Sequence, residues 1–151
     1  MEEMKIKSSS FKDGETIPEK YTCDGEDTNP LLEIRHVPEN AKSLALIIDD
    51  PDATRGVPWD HWLLWNIPPR SQYIQESVVP SGAVQGTGSN GKVKYMGPCP
   101  VKGKDPHHYV FSLYALDCEL ELSEGAKKDE LLRAMEGHIV ARAELVGMYG
   151  R

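Results

Sequence analysis

The sequence predicts a mainly β protein whose strands pair in a largely antiparallel way. Segments with strand character outnumber helical segments, and most of them follow one another along the chain. The 13 glycines and 11 prolines are spread over the whole chain, which indicates many turns rather than one linker. We expect residues 1–151 to form a single domain, as a length of 151 residues also favours.

Three segments carry the strongest strand signals. Ser43–Ile48 is short, apolar and bounded by turn residues, which predicts a buried strand. His61–Ile67 ends at a pair of prolines, and His107–Asp117 is rich in β-branched and aromatic residues. Two further segments have weaker strand character, Leu31–Val37 and Ser77–Val79.

One segment has a convincing helical start. Ser123 precedes an acidic residue, and Ala126–Glu136 has apolar residues at helical spacing, with Gly137 at the expected end. The helix would carry three apolar side chains on one face: Leu131, Leu132 and Met135. Ile139–Tyr149 could prolong this helix, but Gly137 and the β-branched residues favour a last strand. Alternation along that strand would turn one set of side chains to the core: Ile139, Ala141, Ala143 and Leu145.

The overall charge excludes several classes of partner. The 17 basic and 24 acidic side chains give a formal net charge of −7, which argues against a nucleic acid or an anionic bilayer as the main partner. No window approaches the ~20 apolar residues that a membrane-spanning helix needs. The first residues are acidic and lack an apolar run, so we expect no signal peptide and a cytoplasmic protein.

Cysteine usage disfavours both a zinc ribbon and a disulfide scaffold. Cys23, Cys99 and Cys118 are an odd count and contain no C-x-x-C pair. Buried, reduced thiols are the favoured interpretation. A single bridge between Cys23 and Cys99 is left open, because both lie in loop-like sequence.

Residues 86–91, GTGSNG, match the G-x-G-x-x-G pattern of dinucleotide-binding loops. That function needs a strand before the loop and a helix N-terminus after it to hold the pyrophosphate. Here Pro80 and Gly82 interrupt the approach, and the residues that follow lead to the proline-rich GPCP at 97–100. We therefore expect no nucleotide site but a flexible, exposed loop over Gly82–Lys94.

Acidic, imidazole and aromatic side chains recur at three predicted strand ends. Asp50 and Asp52 follow the buried strand, His61 opens the next one, and His107 opens a third. If these strands are antiparallel neighbours, the side chains meet at one sheet edge, with Tyr109 on the same face as His107. Polar groups beside aromatic walls are typical of a small-ligand pocket.

The motifs at these positions resemble the phosphatidylethanolamine-binding protein family. They are DPDA at 50–53, WDHWL at 59–63, GPCP at 97–100 and HHYVF at 107–111. YTCDG at 21–25 and the stretch 137–151 look like the family's short bacterial and archaeal members, often described as Raf-kinase-inhibitor-like. The resemblance implies a large antiparallel β-sheet packed on a smaller sheet, with one or two peripheral helices. It also implies a cavity for phosphate-like anions or phosphoryl headgroups, with these ligand-binding residues: Asp50, Asp52, Trp59, His61, Gly97, Pro98, His107 and Tyr109.

The chain departs from the family pattern in two places. Thr54 stands where the family commonly has a proline after DPDA, and the chain ends at Arg151 without the C-terminal helix of longer eukaryotic members. We therefore expect a more open pocket. The resemblance also favours a cis bond between Val57 and Pro58.

Three classes of function compete for the same residues. In a binding protein, Asp50 would orient an imidazole and raise its pKa, so that His61 and His107 donate to a bound anion. Backbone N–H groups around Gly97 would add to them, and Asp52 would accept from a ligand amine or a protonated phosphate oxygen. A metal-dependent hydrolase could be built on the same Asp/His cluster. An inhibitor of a kinase or protease, and a homodimer, are implied by the resemblance alone. We favour the binding protein, without catalytic residues, metal or cofactor.

Overall fold

The computed structural model describes residues 2–151, which form two β-sheets, one α-helix and a short 3-10 turn at Glu19–Tyr21. The elements in chain order are β1 Lys5–Lys7, β2 Leu32–Arg35, β3 Ser43–Asp50, β4 Trp59–Ile67, β5 Tyr73–Ile74, β6 Val84–Gln85, β7 His107–Leu116, α1 Lys128–Met135 and β8 Ile139–Tyr149. The small sheet has the order β1-β2-β5, and the large sheet has the order β6-β4-β3-β7-β8. Neighbouring strands in both sheets are antiparallel. The predicted fold class is confirmed.

Strand β3 lies at the centre of the large sheet and is buried on both faces. Leu44, Leu46 and Ile48 pack in one core with Leu32 and Ile34 of the small sheet. This explains why the segment reads as a continuous apolar run rather than as an alternating pattern, because a strand covered on both sides needs apolar residues at every position.

The other face of the large sheet is covered by α1. Ala45 and Ile47, which alternate with the residues on the first face, pack in a second core with Leu131 and Met135 of the helix. The molecule therefore has three layers, in which the small sheet and the helix lie on opposite faces of the large sheet.

The strong strand predictions are confirmed, with small changes at their ends. The predicted Ser43–Ile48 runs on to Asp50, His61–Ile67 begins two residues earlier at Trp59, and His107–Asp117 ends at Leu116. Leu31–Val37 forms the shorter strand β2. The predicted strand at Ser77–Val79 is wrong, because Ser77 has a positive φ of 62° that breaks an extended segment. The pattern did not reveal β5 and β6, since two residues carry no alternation.

The helix is confirmed but begins later than predicted. Lys127 rather than Ser123 precedes it, and the Glu130 carboxylate accepts a hydrogen bond from the Lys127 N–H at 3.1 Å. Gly137 follows the helix with φ 82°, as expected for a glycine that ends a helix. Leu132 is 43% exposed, so the predicted apolar face is narrower than expected.

The last segment is a strand, as predicted, and its faces are those expected from alternation. Ala143 and Leu145 are buried, whereas Val146 is only half-buried. Ile139 departs from this pattern and is 46% exposed. A register shift accounts for it: Ala115 pairs with Ala141 and Leu116 with Ile139, so Val140 is an extra residue in β8 and the alternation is broken there.

The first part of the glycine-rich segment, Val84–Ser89, is packed against the sheet, which corrects the expectation of an exposed loop for these residues, whereas Asn90–Lys92 and Lys94 are exposed as expected. The Gly86 N–H donates to the Leu63 carbonyl at 2.9 Å, and a Cβ atom at Gly86 would lie 2.5 Å from the Ala126 carbonyl oxygen. Ser89 Oγ accepts the Asp60 N–H at 2.7 Å. Glycine is needed here for close approach of two backbones rather than for a phosphate. No helix within residues 2–151 is long and apolar enough to cross a membrane.

Candidate functional site

Three chain segments meet at one edge of the large sheet. Asp50 is the last residue of β3 and lies opposite Trp59, the first residue of β4. His107 and Tyr109 open β7, which is antiparallel to β3 on its other side. The antiparallel order therefore brings the end of one strand and the starts of two others together, as the sequence predicted from the strand ends.

His107 is held by Asp50 in a buried pair. The His107 Nδ1 lies 2.6 Å from Asp50 Oδ2, and the two side chains are only 11% and 6% exposed. The other carboxylate oxygen of Asp50 accepts the Asp52 N–H at 2.8 Å. Because a carboxylate only accepts, Nδ1 of His107 carries the proton and Nε2 is the atom left for a ligand.

His61 is oriented by the main chain rather than by a carboxylate. Its Nδ1–H donates to the Met96 carbonyl at 2.7 Å, which again leaves Nε2 for a ligand. Burial lowers the pKa of the His61 imidazole below its ordinary value of 6.5. This corrects the expectation that a neighbouring carboxylate would raise the pKa, because desolvation outweighs the attraction of Asp50. Near neutral pH, His61 is therefore uncharged.

Tyr109 lies between the two imidazoles and is 1% exposed. Its ring meets His61 edge to face at 5.2 Å and stacks on His107 at 6.3 Å, measured between ring centroids. Burial raises the pKa of the Tyr109 hydroxyl well above its ordinary value of 10. The hydroxyl consequently stays protonated and can donate a hydrogen bond.

These side chains line a cavity of about 170 Å³. Its walls are formed by Asp50, Ala53, Thr54, Trp59, His61, Met96, Cys99, Pro100, Val101, His107 and Tyr109. No lysine or arginine is among them. A cationic group lies outside the cavity at Arg55, whose guanidinium carbon is 4.7 Å from the centroid of the Trp59 ring.

Asp52 does not line the cavity, in contrast to the prediction. Its Oδ2 accepts hydrogen bonds from both the backbone N–H and the Nδ1 of His108, each at 2.7 Å. The backbone hydrogen bond from His108 is the main reason why the pKa of Asp52 is lowered. His108 lies on the face of β7 opposite His107. The Asp52 carboxylate is therefore held by His108, and its role towards a ligand stays a prediction.

Gly97 and Pro98 support the cavity wall but do not form it. The Gly97 N–H donates to Asp27 Oδ1 at 2.7 Å, so this amide is not directed at a ligand. A Cβ atom at Gly97 would lie 2.4 Å from the Tyr21 carbonyl oxygen, which explains the glycine by close backbone packing. The buried Pro98 offers its carbonyl to the Cys23 N–H at 3.1 Å.

Cys23 and Cys99 form a disulfide, and Cys118 is a free thiol. The favoured interpretation of three reduced cysteines is therefore wrong for two of them, and the alternative that was left open is correct. The bridge ties the wall residue Cys99 to the segment that begins at Tyr21.

The expected cis bond between Val57 and Pro58 is not found; this bond is trans. The loop before β4 turns instead at Gly56, which has φ 84° and whose N–H donates to the Ala53 carbonyl at 3.3 Å. A glycine with positive φ can reverse the chain here, so Trp59 reaches its place with all peptide bonds trans.

Sequence reasoning missed two residues that orient the site. Met96 supplies the carbonyl that fixes His61, and Asp27 holds the amide of Gly97. Met96 directly precedes the GPCP motif, which was a usable signal. Asp27 lies far away in sequence and offered none.

The comparisons with known proteins agree with this architecture. The family model described as phosphatidylethanolamine-binding protein matches residues 7–150. A UPF0098 protein of Methanothermobacter thermautotrophicus is 49% identical, with 98% of this chain and 99% of the relative covered. A UPF0098 protein of Pyrococcus horikoshii is 48% identical, with 99% of this chain and 79% of the relative covered.

Among solved structures, a phosphatidylethanolamine-binding protein homologue from Chlamydia trachomatis superimposes with a TM-score of 0.94 at 40% identity, covering 100% of this chain and 99% of that one. The E. coli protein YbcL, described as a member of the mammalian family, gives a TM-score of 0.93 at 31% identity, with 99% of both chains covered. The family model spans nearly the whole chain, and both structures share its three layers over their full length. The chain therefore belongs to the phosphatidylethanolamine-binding protein family.

Proposed function

We propose that the cavity at the sheet edge binds one phosphate-like anion, either free or as the phosphoryl end of a small headgroup, without turning it over. The observation that carries the proposal is the shared orientation of two imidazoles. His61 and His107 both use Nδ1 for the protein, so each has only Nε2 for a ligand in the same cavity. A volume of about 170 Å³ is smaller than a typical drug-sized site and suits a headgroup rather than a whole lipid.

The protonation states decide which form of the anion fits. An uncharged His61 presents a bare Nε2, which accepts a hydrogen bond and cannot donate one. A phosphoryl group that still carries a P–OH proton can donate to that nitrogen, while the Tyr109 hydroxyl donates to another oxygen. A fully deprotonated anion would need His61 to take up a proton. For an anion without such a proton, namely sulfate or a deprotonated phosphate ester, binding is therefore linked to proton uptake by His61, and affinity should increase as pH falls below about 6.5.

The competing metal-dependent hydrolase lacks support from the geometry of this cavity. A metal would need donor atoms of the histidines and acids to converge on one point. In the part of the chain that the structure describes, the cluster of such residues with all donor atoms within 4.8 Å is Asp117, Cys118 and His138. Those residues do not line the cavity.

Isothermal titration with inorganic phosphate, sulfate and phosphoethanolamine tests the proposal, at one pH above and one below about 6.5. His107→Ala should weaken binding roughly 10- to 150-fold, since it removes one charge-assisted hydrogen bond. Asp50→Asn should also weaken binding, although it removes a negative charge, because the imidazole of His107 loses its orienting partner. Simple charge repulsion predicts the opposite sign for this variant.

His108→Ala is the matched control. It is the neighbouring histidine, it is also paired with an aspartate, and it lies on the other face of β7. Its removal should leave anion affinity within a factor of two or so, by the same hydrogen-bond arithmetic. The proposal is abandoned if none of the three anions binds at millimolar concentration, or if His107→Ala and His108→Ala bind alike.

A further inference from the structure

A second cluster of side chains lies at the end of the β7–β8 pair opposite the cavity. β7 ends at Leu116 and β8 begins at Ile139, and the two residues are paired. The hydrogen-bond ladder continues one step beyond the strands, where the Asp117 N–H donates to the His138 carbonyl at 3.0 Å. The backbones of two segments 21 residues apart in sequence are thus held together here.

Three side chains of this cluster have donor atoms of different chemistry. His138 Nδ1 lies 2.8 Å from Asp117 Oδ1, and Cys118 is next in sequence and carries the free thiol. One oxygen, one sulfur and one nitrogen donor lie within 4.8 Å of one another. The backbone at Cys118 is also anchored, because its carbonyl accepts the Ser43 hydroxyl at 2.6 Å.

We propose that Asp117, Cys118 and His138 form a binding site for one zinc-like divalent cation, with water as a fourth ligand. Thiolate and imidazole are the ligands that zinc prefers, and a carboxylate completes many such sites. In a tetrahedral site with bond lengths of about 2.0–2.3 Å, donor atoms lie roughly 3.3–3.8 Å apart. Small side-chain rotations reach this spacing: His138 Nδ1 and Asp117 Oδ1, now hydrogen-bonded at 2.8 Å, would move about half an ångström apart. Binding would release the protons of the imidazole Nδ1 and of the Cys118 thiol to solvent.

Those rotations are available, and the cation can reach the site. The side chains of Asp117 and His138 are 46% and 45% exposed, so neither is locked in place by packing. A bound cation would cross-link the end of β7 to the start of β8, and it would stabilise the folded state by mass action because the unfolded chain has no preformed site.

The alternative is that His138 and Asp117 form an ordinary hydrogen-bonded pair on the surface and bind no metal. The chain contains a matched example of that pair at His108 and Asp52, with Nδ1 and Oδ2 at 2.7 Å and with side chains 53% and 42% exposed. That second pair belongs to no such cluster of donor atoms in residues 2–151. Variants of the His108–Asp52 pair therefore show how much metal binding an exposed histidine–aspartate pair gives without a neighbouring thiol.

Cobalt titration of the full chain tests the site, without reductant so that the Cys23–Cys99 bridge stays closed. We expect one equivalent of Co²⁺ to produce a thiolate-to-cobalt charge-transfer band and the visible bands of a tetrahedral site, and Zn²⁺ to abolish both. Since the other two of the 3 cysteines are in the disulfide, such a band can come only from Cys118.

Cys118→Ser should remove the charge-transfer band, and His138→Ala should weaken cobalt binding at least tenfold. His108→Ala should leave both unchanged. Zinc should raise the melting temperature of the wild type but not of Cys118→Ser, and circular dichroism of each variant checks that it is folded. A wild type without a thiolate band, a band with half an equivalent of metal per chain, or equal losses in His138→Ala and His108→Ala would each overturn the proposal. Anion binding at the cavity is independent of these outcomes.

Discussion

Removing the Cys23–Cys99 bridge by a double substitution to serine should lower the free energy of unfolding by about 4 kcal/mol. The two cysteines are 76 residues apart, so the bridge closes a loop of half the chain. In the chain-entropy model, a loop of this length costs the unfolded state about 15 cal/mol/K, or roughly 4.5 kcal/mol at 25 °C. Residual structure in the unfolded chain reduces that figure, and 2–5 kcal/mol is the usual range.

The position of the bridge makes this a clean measurement. Cys99 is exposed and Cys23 is half-buried, so serine at either position removes little buried apolar surface. The segments on both sides keep their own hydrogen bonds, namely those from Gly97 to Asp27 and from the Tyr95 hydroxyl to the Tyr21 carbonyl, the latter at 2.7 Å. The native wall should therefore persist, and the loss should come from the freed unfolded state.

Urea unfolding followed by tryptophan fluorescence gives the free energy directly. For a chain of this size, a loss of about 4 kcal/mol should lower the melting temperature by roughly 8–16 °C. Cys118→Ser is the control, because this residue is the free cysteine and its replacement closes or opens no loop. A loss below about 1 kcal/mol, or one no larger than that of the control, would refute the reasoning. Counting alkylated thiols in the denatured, unreduced wild type should give one rather than three.

Two further outcomes follow from burial. Leu145→Ala should lower the free energy of unfolding in urea by about 2–5 kcal/mol, because Leu145 is 2% exposed. Val146→Ala, at a half-buried position, should lower it by less than about 1 kcal/mol. A larger loss at Val146 would mean that the faces of β8 are reversed, and equal losses would mean that one face is no more buried than the other. Burial lowers the pKa of His61, so the unfolded chain takes up a proton more readily than the folded chain, and stability should decline as pH falls from 6.5 towards that lowered pKa. Titration of His61 by NMR measures the pKa, and a value above 6.5 would contradict this account.

The long strands were predictable because their physical cause is local. The middle of β3, from Leu44 to Ile48, must be apolar at every position, since both of its faces are covered. β8 alternates, since one face is open to water. Antiparallel pairing of such strands places strand ends at a common edge, and for that reason Asp50, His61 and His107 could be assigned to one site before any contact was known.

Only the tertiary structure decides which aspartate pairs with which histidine at the site. Asp50 and Asp52 look equivalent in sequence, yet one holds His107 at the cavity and the other holds His108 outside it. The choice depends on which face of β7 each carboxylate reaches after the chain turns at residues 51–53, and residue type does not encode that direction.

The sequence likewise did not predict the burial of the His61 imidazole or the pairing of Cys23 with Cys99. The pKa of His61 is lowered because neighbouring segments exclude water from its ring, and the Cys23–Cys99 bridge forms because two loops 76 residues apart pack against each other. Composition and periodicity describe how a residue relates to its neighbours along the chain. Desolvation and disulfide pairing depend on distances across the fold, which exist only once the three layers have packed together.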